Sequence, residues 1–151
     1  MDSFGVLLID PDTADHDVVA SAIGGEFAFL GAKSIELGVR LAARRPPGVA
    51  VIDVSALKGP LEDITAELRA GSASLRFIFL SAPGVDTSGL TSFGAVLPKP
   101  IDPERLLQAV RHAVKLQGMS AGVERLKTRT GQFATTPRPG TEPGLGRRPP
   151  D

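Results

Sequence analysis

The fold is indicated first by one short stretch, Val49-Ala50-Val51-Ile52-Asp53, in which four apolar residues lead directly to a carboxylate. The same pattern occurs in Phe4-Gly5-Val6-Leu7-Leu8-Ile9, which Asp10 follows, and in Phe77-Ile78-Phe79-Leu80, which Ser81 follows. Apolar runs of this length without polar alternation are typical of strands that are covered on both faces. The three stretches therefore predict a parallel sheet with helices on both sides.

Helical patterns alternate with the strand-like runs along the first part of the chain. Two weaker runs, at residues 27–30 and 95–97, predict two more strands, the second and the fifth in chain order. The helical patterns begin after residues that can cap a helix, namely Asp12 or Thr13, Ser34, and Asp102 with Pro103 after it. Five strands alternating with four or five helices predict an α/β fold built on a doubly wound, five-stranded parallel sheet.

Composition excludes several classes of function. The chain has 151 residues and no cysteine, which excludes disulfides, thiolate zinc sites, iron–sulfur clusters and cysteine nucleophiles. Its 17 basic residues balance 17 acidic ones, so the charge predicts neither nucleic acid nor a membrane as the main partner. No apolar run approaches the roughly 20 residues that span a bilayer, and the acidic N-terminus is unlike a secretory signal. These features predict a cytoplasmic protein.

The composition changes at residue 119, which predicts two parts: a folded domain of residues 1–118 and a disordered tail of residues 119–151. The tail contains five prolines, and its five large apolar side chains have no regular spacing. Such a segment cannot bury enough apolar surface to offset the entropy cost of ordering it. It carries six basic and three acidic residues, a net charge of +3, and is either a solvated tail or a docking peptide.

Polar residues follow the predicted strands at the edge of the sheet where their carboxyl ends meet. Asp10 and Asp12 follow the first strand, Asp53 the third and Ser81 the fourth, and Lys99 lies beside the fifth between two prolines. In doubly wound sheets, ligands bind at this edge. Clustered carboxylates supply the oxygen ligands that Mg²⁺ takes, and a carboxylate beside the metal can accept a phosphoryl group. A hydroxyl and an ammonium group can then neutralise the phosphoryl oxygens.

Four motifs make the chain resemble the receiver domain of two-component response regulators. They are Val6-Leu7-Leu8-Ile9-Asp10, Val49-Ala50-Val51-Ile52-Asp53, Phe79-Leu80-Ser81-Ala82 and Lys99-Pro100-Ile101-Asp102. Each motif is weak alone, but all four occur in order, and the resemblance spans about residues 4–117. It implies the flavodoxin-like receiver fold with strand order 2-1-3-4-5, in a single receiver domain that the tail follows.

The resemblance also implies a role for each residue of the predicted site. Asp53 is the implied phosphoacceptor, and Asp10 belongs with it to an acidic pocket for Mg²⁺. Ser81 is the implied switch hydroxyl, Lys99 pairs with the phosphoryl oxygens, and the peptide bond before Pro100 is cis. The implied function is that of a phosphorelay response regulator, not an enzyme. A histidine kinase or phosphotransfer protein supplies the phosphoryl group, and a downstream protein partner receives the signal.

Three departures from the family pattern suggest an atypical, degenerate receiver. The family has two adjacent acids after the first strand, but here Pro11 takes the second place. Asp12 either substitutes as a metal ligand or only caps the helix, so weak Mg²⁺ binding is expected. Val96 stands where the family has an aromatic switch residue. The segment from Ser81 to Lys99 is roughly one helical turn short, which predicts a short or eroded fourth helix.

Two other functions stay open from the sequence. A pseudo-receiver with the same fold and no phosphate chemistry would act as a docking module, and the three departures favour it. A haloacid-dehalogenase-like phosphatase also has two acids after a strand, here Asp10 and Asp12, with a later serine and lysine. That family has Thr or Val two residues after the second acid, where this chain has Ala14, and it leaves Asp53 without a role.

The predicted domain boundary can be tested by truncation. A chain that ends at Gly118 loses almost none of the predicted core, because residues up to Leu116 supply the apolar face of the last helix. Its melting temperature, measured by circular dichroism, should stay within a few degrees of that of the full chain, since changes below about 1 kcal/mol shift a domain of this size by only that much. Unfolding of the shortened chain would contradict the predicted boundary.

Overall fold

The computed structural model describes residues 5–116, and one parallel sheet of five strands lies at its centre. The strands are β1 (Gly5–Ile9), β2 (Ala28–Ala32), β3 (Val49–Asp53), β4 (Arg76–Ser81) and β5 (Gly94–Pro98), in the order β2-β1-β3-β4-β5. All four pairings between neighbouring strands are parallel. The predicted sheet and strand order are therefore confirmed, whereas the predicted tail of residues 119–151 lies outside the described residues.

Four α-helices flank the sheet within the described residues: α1 (Thr13–Ile23), α2 (Ile35–Arg44), α3 (Leu61–Leu68) and α4, which covers residues 103–116. All three predicted caps are visible as hydrogen bonds, including that of Asp12, which accepts from the Ala14 amide. Ser34 Oγ accepts one from the Leu37 amide at 3.2 Å, and Asp102 Oδ1 accepts one from the Glu104 amide at 3.0 Å. None of these helices is long and apolar enough to cross a lipid bilayer.

The core explains why the strand sequences are apolar without alternation. In β1, Leu7 and Ile9 belong to the core on the side of the sheet that α2 and α3 cover, whereas Val6 and Leu8 belong to the core on the side that α1 and α4 cover. All four side chains are fully buried. Burial of one such side chain contributes roughly 1.5–3 kcal/mol to folding, so both layers of helices stabilise the sheet that carries the strand ends.

Residues 82–93 lie between β4 and β5, where a short or eroded fourth helix was predicted. This segment forms turns and contains no helix. Pro83 and Gly84 open it, and Gly84 has a φ of +84°, a backbone conformation that an α-helix does not use. Leu90 is nevertheless buried, and Phe93 packs against the same core that α2 and α3 cover. Side chains of the turns therefore cover part of the sheet that a helix would otherwise cover.

Gly94 in β5 offers a test of how closely β4 and β5 pack. A Cβ atom added at Gly94 would lie 2.1 Å from the carbonyl oxygen of Phe77. We expect Gly94→Ala to lower the free energy of unfolding by about 1–3 kcal/mol, because the two strands must shift apart to make room. Gly89→Ala is the matched control, since no atom lies within 4 Å of the added Cβ there. Urea unfolding measures both variants, and equal stabilities would contradict the described packing.

Candidate phosphoryl-acceptor site

The carboxyl ends of four strands bring the predicted site residues to one edge of the sheet. Asp10 follows β1, Asp53 ends β3, Ser81 ends β4 and Lys99 follows β5. The Lys99 amide donates a hydrogen bond to the Ser81 carbonyl oxygen at 2.8 Å. The peptide bond between Lys99 and Pro100 is cis, as the family resemblance implied. Parallel pairing thus sets these side chains on neighbouring strand ends.

The centre of the site is the ammonium group of Lys99, which contacts three carboxylates. Its Nζ atom donates to Asp10 Oδ2 at 3.1 Å, to Asp53 Oδ2 at 2.8 Å and to Asp15 Oδ2 at 2.5 Å. A lysine ammonium has three N–H donors, and these contacts use all of them. Burial disfavours the charged form of Lys99, but the three carboxylates outweigh burial and raise its pKa above the usual value. Lys99 is therefore a fixed positive charge.

Asp15, and not Asp12, is the third carboxylate of this cluster. Asp12 was predicted for the metal pocket, but it is exposed and caps α1, where its Oδ1 atom accepts from the Ala14 amide at 2.9 Å. The Asp12 amide donates to Asp10 Oδ1 at 2.9 Å. Sequence reasoning missed Asp15 because an acid three residues after a cap is typical of an ordinary helix start.

The carboxylate of Asp10 is fully buried, which disfavours its charged form. Burial is the largest cause that raises the pKa of Asp10 to about 6, and the neighbouring Asp15 side chain adds to the rise. The Asp12 amide and the Lys99 ammonium act in the opposite direction. The ring of His16 contacts the same loop, since its Nε2 atom lies 2.7 Å from the Asp10 carbonyl oxygen. The hydrogen bonds from the Asp12 amide and Lys99 thus offset only part of the cost of burying the charged form of Asp10.

Asp53 is the carboxylate best suited to react. Its Oδ2 atom accepts from Lys99 and, at 3.1 Å, from the Ser55 hydroxyl, while its Oδ1 atom accepts from the Ser55 amide at 3.1 Å. Burial alone would raise the pKa of Asp53, but these hydrogen bonds outweigh burial and hold the pKa below its usual value. Asp53 is therefore ionised at neutral pH. Sequence reasoning missed Ser55, although an aspartate often accepts from the backbone two residues on.

Ser81 lies at the strand end next to the cluster, but its hydroxyl is bonded to the backbone. The side chain is largely buried, and Oγ donates to the carbonyl oxygen of Ala82 at 3.2 Å. Val96, at the position of the family's aromatic switch residue, is partly buried and packs against the core on the α2 and α3 side. The role of Ser81 as a switch hydroxyl stays a prediction.

The three carboxylates form a donor set that suits a divalent cation. One oxygen each from Asp10, Asp15 and Asp53 lies within 4.8 Å of the others. Mg²⁺ binds oxygen ligands, carboxylates above all, so the residues present fit the expected ion. The Lys99 ammonium already stands among these oxygens as a cation. With all four groups ionised, the cluster keeps a net charge of −2, which a divalent cation can neutralise.

The strand order β2-β1-β3-β4-β5 is that of response regulator receiver domains, and solved structures confirm that fold. NtrX from Brucella abortus matches with a TM-score of 0.70 at 20% identity, over 86% of this chain and 30% of that chain. A response regulator receiver domain protein from Clostridium thermocellum matches with a TM-score of 0.66 at 20% identity, over 77% of this chain and 98% of that chain.

A CheY-like receiver domain protein from Methanospirillum hungatei JF-1 is similar to the same extent. Its TM-score is 0.67 at 17% identity, over 79% of this chain and 99% of that chain. Identities this low establish the shared fold and no more. No protein-family model matches the sequence, and no curated protein matches it either. The similarity to receiver domains is therefore carried by the backbone fold and by short motifs, and not by overall sequence identity.

The raised pKa of Asp10 predicts the behaviour of its amide variant. A carboxyl group whose pKa is raised on folding costs stability as pH rises above its ordinary value of 3.8, and this cost is complete above the folded value of about 6. Asp10→Asn removes the cost and keeps an acceptor for the Asp12 amide. With EDTA present near pH 7.5, we expect the free energy of unfolding of the variant, measured by urea denaturation, to exceed that of wild type by roughly 2–3 kcal/mol. One pKa unit corresponds to about 1.4 kcal/mol.

The same pair of proteins supplies the control. Toward about pH 4 the wild-type carboxyl becomes protonated, so the stability difference between wild type and Asp10→Asn should shrink. A variant that is less stable than wild type near pH 7.5 would show that the contact with Lys99 outweighs the cost of burying the charge.

Proposed function

We propose that residues 1–118 form a receiver domain that accepts a phosphoryl group on Asp53 in a two-component phosphorelay. The observation that carries the proposal is the setting of Asp53, an ionised carboxylate at a strand end, 2.8 Å from the Lys99 ammonium and beside two further aspartates. A nucleophile, a counter-charge and oxygen ligands for a metal therefore meet where doubly wound folds bind their ligands.

The transfer asks little of the protein beyond position and charge. A carboxylate oxygen of Asp53 attacks the phosphorus of a phosphohistidine or an acyl phosphate. The new P–O bond forms as the bond to the donor's nitrogen or oxygen breaks, and the donor keeps the electron pair. Lys99 lies where its ammonium can pair with the phosphoryl oxygens. The amide and hydroxyl of Ser55 orient the attacking carboxylate.

A Mg²⁺ ion at the site would supply positive charge to neutralise the transferred group, which carries several negatively charged oxygens. Asp10 and Asp53, whose carboxylates converge, would hold the ion. The protein's own part is to hold these groups in place. Ser81, at the end of β4, is the proposed switch hydroxyl that turns toward the phosphoryl group once it is attached.

The proposal makes this chain a signalling module that acts through other proteins in the cytoplasm and catalyses no reaction on a separate substrate. A histidine kinase or a phosphotransfer protein donates the phosphoryl group, and a downstream protein reads the phosphorylated state. The likeness to receiver domains supports these partner classes. The phosphatase alternative loses support, because Asp12, its general acid, is exposed and caps α1.

A pseudo-receiver is the second candidate, and specific observations favour it. Pro11 replaces an acid, Val96 replaces an aromatic ring, and turns replace a helix at residues 82–93. Each change removes a part that carries either the metal or the phosphorylation signal in typical receivers. A domain of this kind would dock on its partner in one constant state.

Phosphorylation of Asp53 separates the two candidates. We expect acetyl phosphate with Mg²⁺ to add one phosphoryl group to wild type, detected by intact-protein mass spectrometry, because Asp53 is ionised and Lys99 can stabilise the developing charge. Asp53→Asn should abolish the labelling. Asp63→Asn, the same change at an exposed site on α3, should label like wild type. Absence of labelling from acetyl phosphate and from a cognate kinase would leave the pseudo-receiver.

A further inference from the structure

The loss of an acid at position 11 leaves a gap that another residue can fill. Pro11 has no group that binds a cation, and Asp12 turns to the surface as the cap of α1. The structure nevertheless brings a third carboxylate to Asp10 and Asp53, from one helical turn further along the chain. We propose that Asp15 supplies the third carboxylate of the divalent-cation site, in place of the acid that Pro11 has replaced. The inference rests on the proposed function and deepens it.

The local backbone explains why Asp15 reaches the site. The Asp12 amide, which a capping box would pair with an acid at position 15, donates instead to Asp10 Oδ1 at 2.9 Å. The Asp15 side chain is thereby released from a role in helix capping. The neighbouring His16 holds this turn of α1 against the end of β1 through the Asp10 carbonyl oxygen. The carboxylate of Asp15, partly buried, is therefore held beside Lys99 Nζ at 2.5 Å.

The contact with Lys99 shows that the three aspartates converge on one positively charged group. The ammonium occupies the point on which all three Oδ2 atoms converge. It supplies one positive charge against three negative charges, so the three carboxylates are not fully neutralised. A divalent cation that binds oxygen ligands matches both the donor atoms and the remaining charge of −2.

An alternative role for Asp15 also depends on its contact with Lys99. In that case Asp15 only positions Lys99, and its carboxylate does not bind the metal. The two roles differ in one measurable quantity, the affinity for Mg²⁺ in the absence of any phosphoryl donor. A metal ligand changes this affinity strongly, because the number of charged oxygen ligands sets the strength of such sites.

The experiment is a calorimetric titration of the full chain with Mg²⁺ alone. We expect Asp15→Asn to weaken binding by at least about tenfold, in line with the loss of one charged ligand. Two variants control for charge. Asp12→Asn keeps a good cap residue, and Asp17→Asn removes an exposed charge from the same helix. Both should bind Mg²⁺ within about threefold of wild type, because salt screens exposed charges. Circular dichroism confirms folding, and Asp15→Ser serves as a second variant if Asp15→Asn unfolds.

A rescue variant tests the exchange of positions directly. Pro11→Asp, added to Asp15→Asn, returns a carboxylate to the position next to Asp10 and should restore most of the lost affinity. Equal affinities of Asp15→Asn and Asp17→Asn would overturn the inference and leave Asp15 as a residue that positions Lys99. Failure of Pro11→Asp to restore binding, or absence of Mg²⁺ binding by wild type, would also overturn it. Because no phosphoryl donor is present, these outcomes do not depend on whether Asp53 becomes phosphorylated.

Discussion

A single ammonium group organises the functional edge of this sheet. Lys99 reaches from the end of β5 to Asp53 on β3, which lies 46 positions earlier in the chain. It also reaches Asp10 after β1, which lies 89 positions earlier. Three carboxylates within 4.8 Å of one another repel. The folded chain accommodates them because a positive charge with three donors lies among them. Removing that charge would leave the strand ends as a cluster of unscreened anions, so the geometry of the site depends on it.

The position of the sheet strengthens the interaction between Lys99 and the carboxylates. Strands β1 and β3 are neighbours at its centre and are covered by helices on both faces, so the carboxylates at their ends lie against a water-poor core. Charges interact more strongly in such surroundings than at an exposed surface. The same burial raises the pKa of Asp10, whereas the pKa of Asp53 is lowered because two groups of Ser55 and the nearby lysine donate to it. One site thus holds two aspartates with different proton affinities.

Most of the fold could be predicted from the sequence because its signals are local. Apolar runs such as 49–52 identify the buried strands, and Ser34 and Asp102 identify helix starts. Pro83 and Gly84 explain why residues 82–93 form turns where a helix was predicted. The site was predictable only as far as the strand ends, at Asp10, Asp53 and Lys99. Asp15 and Ser55 could not be chosen in the same way. Asp12 and Asp15 are the same residue type in one turn, and only the path of the backbone decides which of them faces Lys99.

Pro11 bears on how a site of this kind changes during evolution. The amide that binds Asp10 Oδ1 belongs to Asp12, so a proline at position 11 removes no hydrogen bond from the buried carboxylate. A position-by-position comparison with receivers that have adjacent acids would score this chain as lacking one. A comparison of atoms in space finds three carboxylates, so receivers classed as degenerate by motif are better judged by geometry.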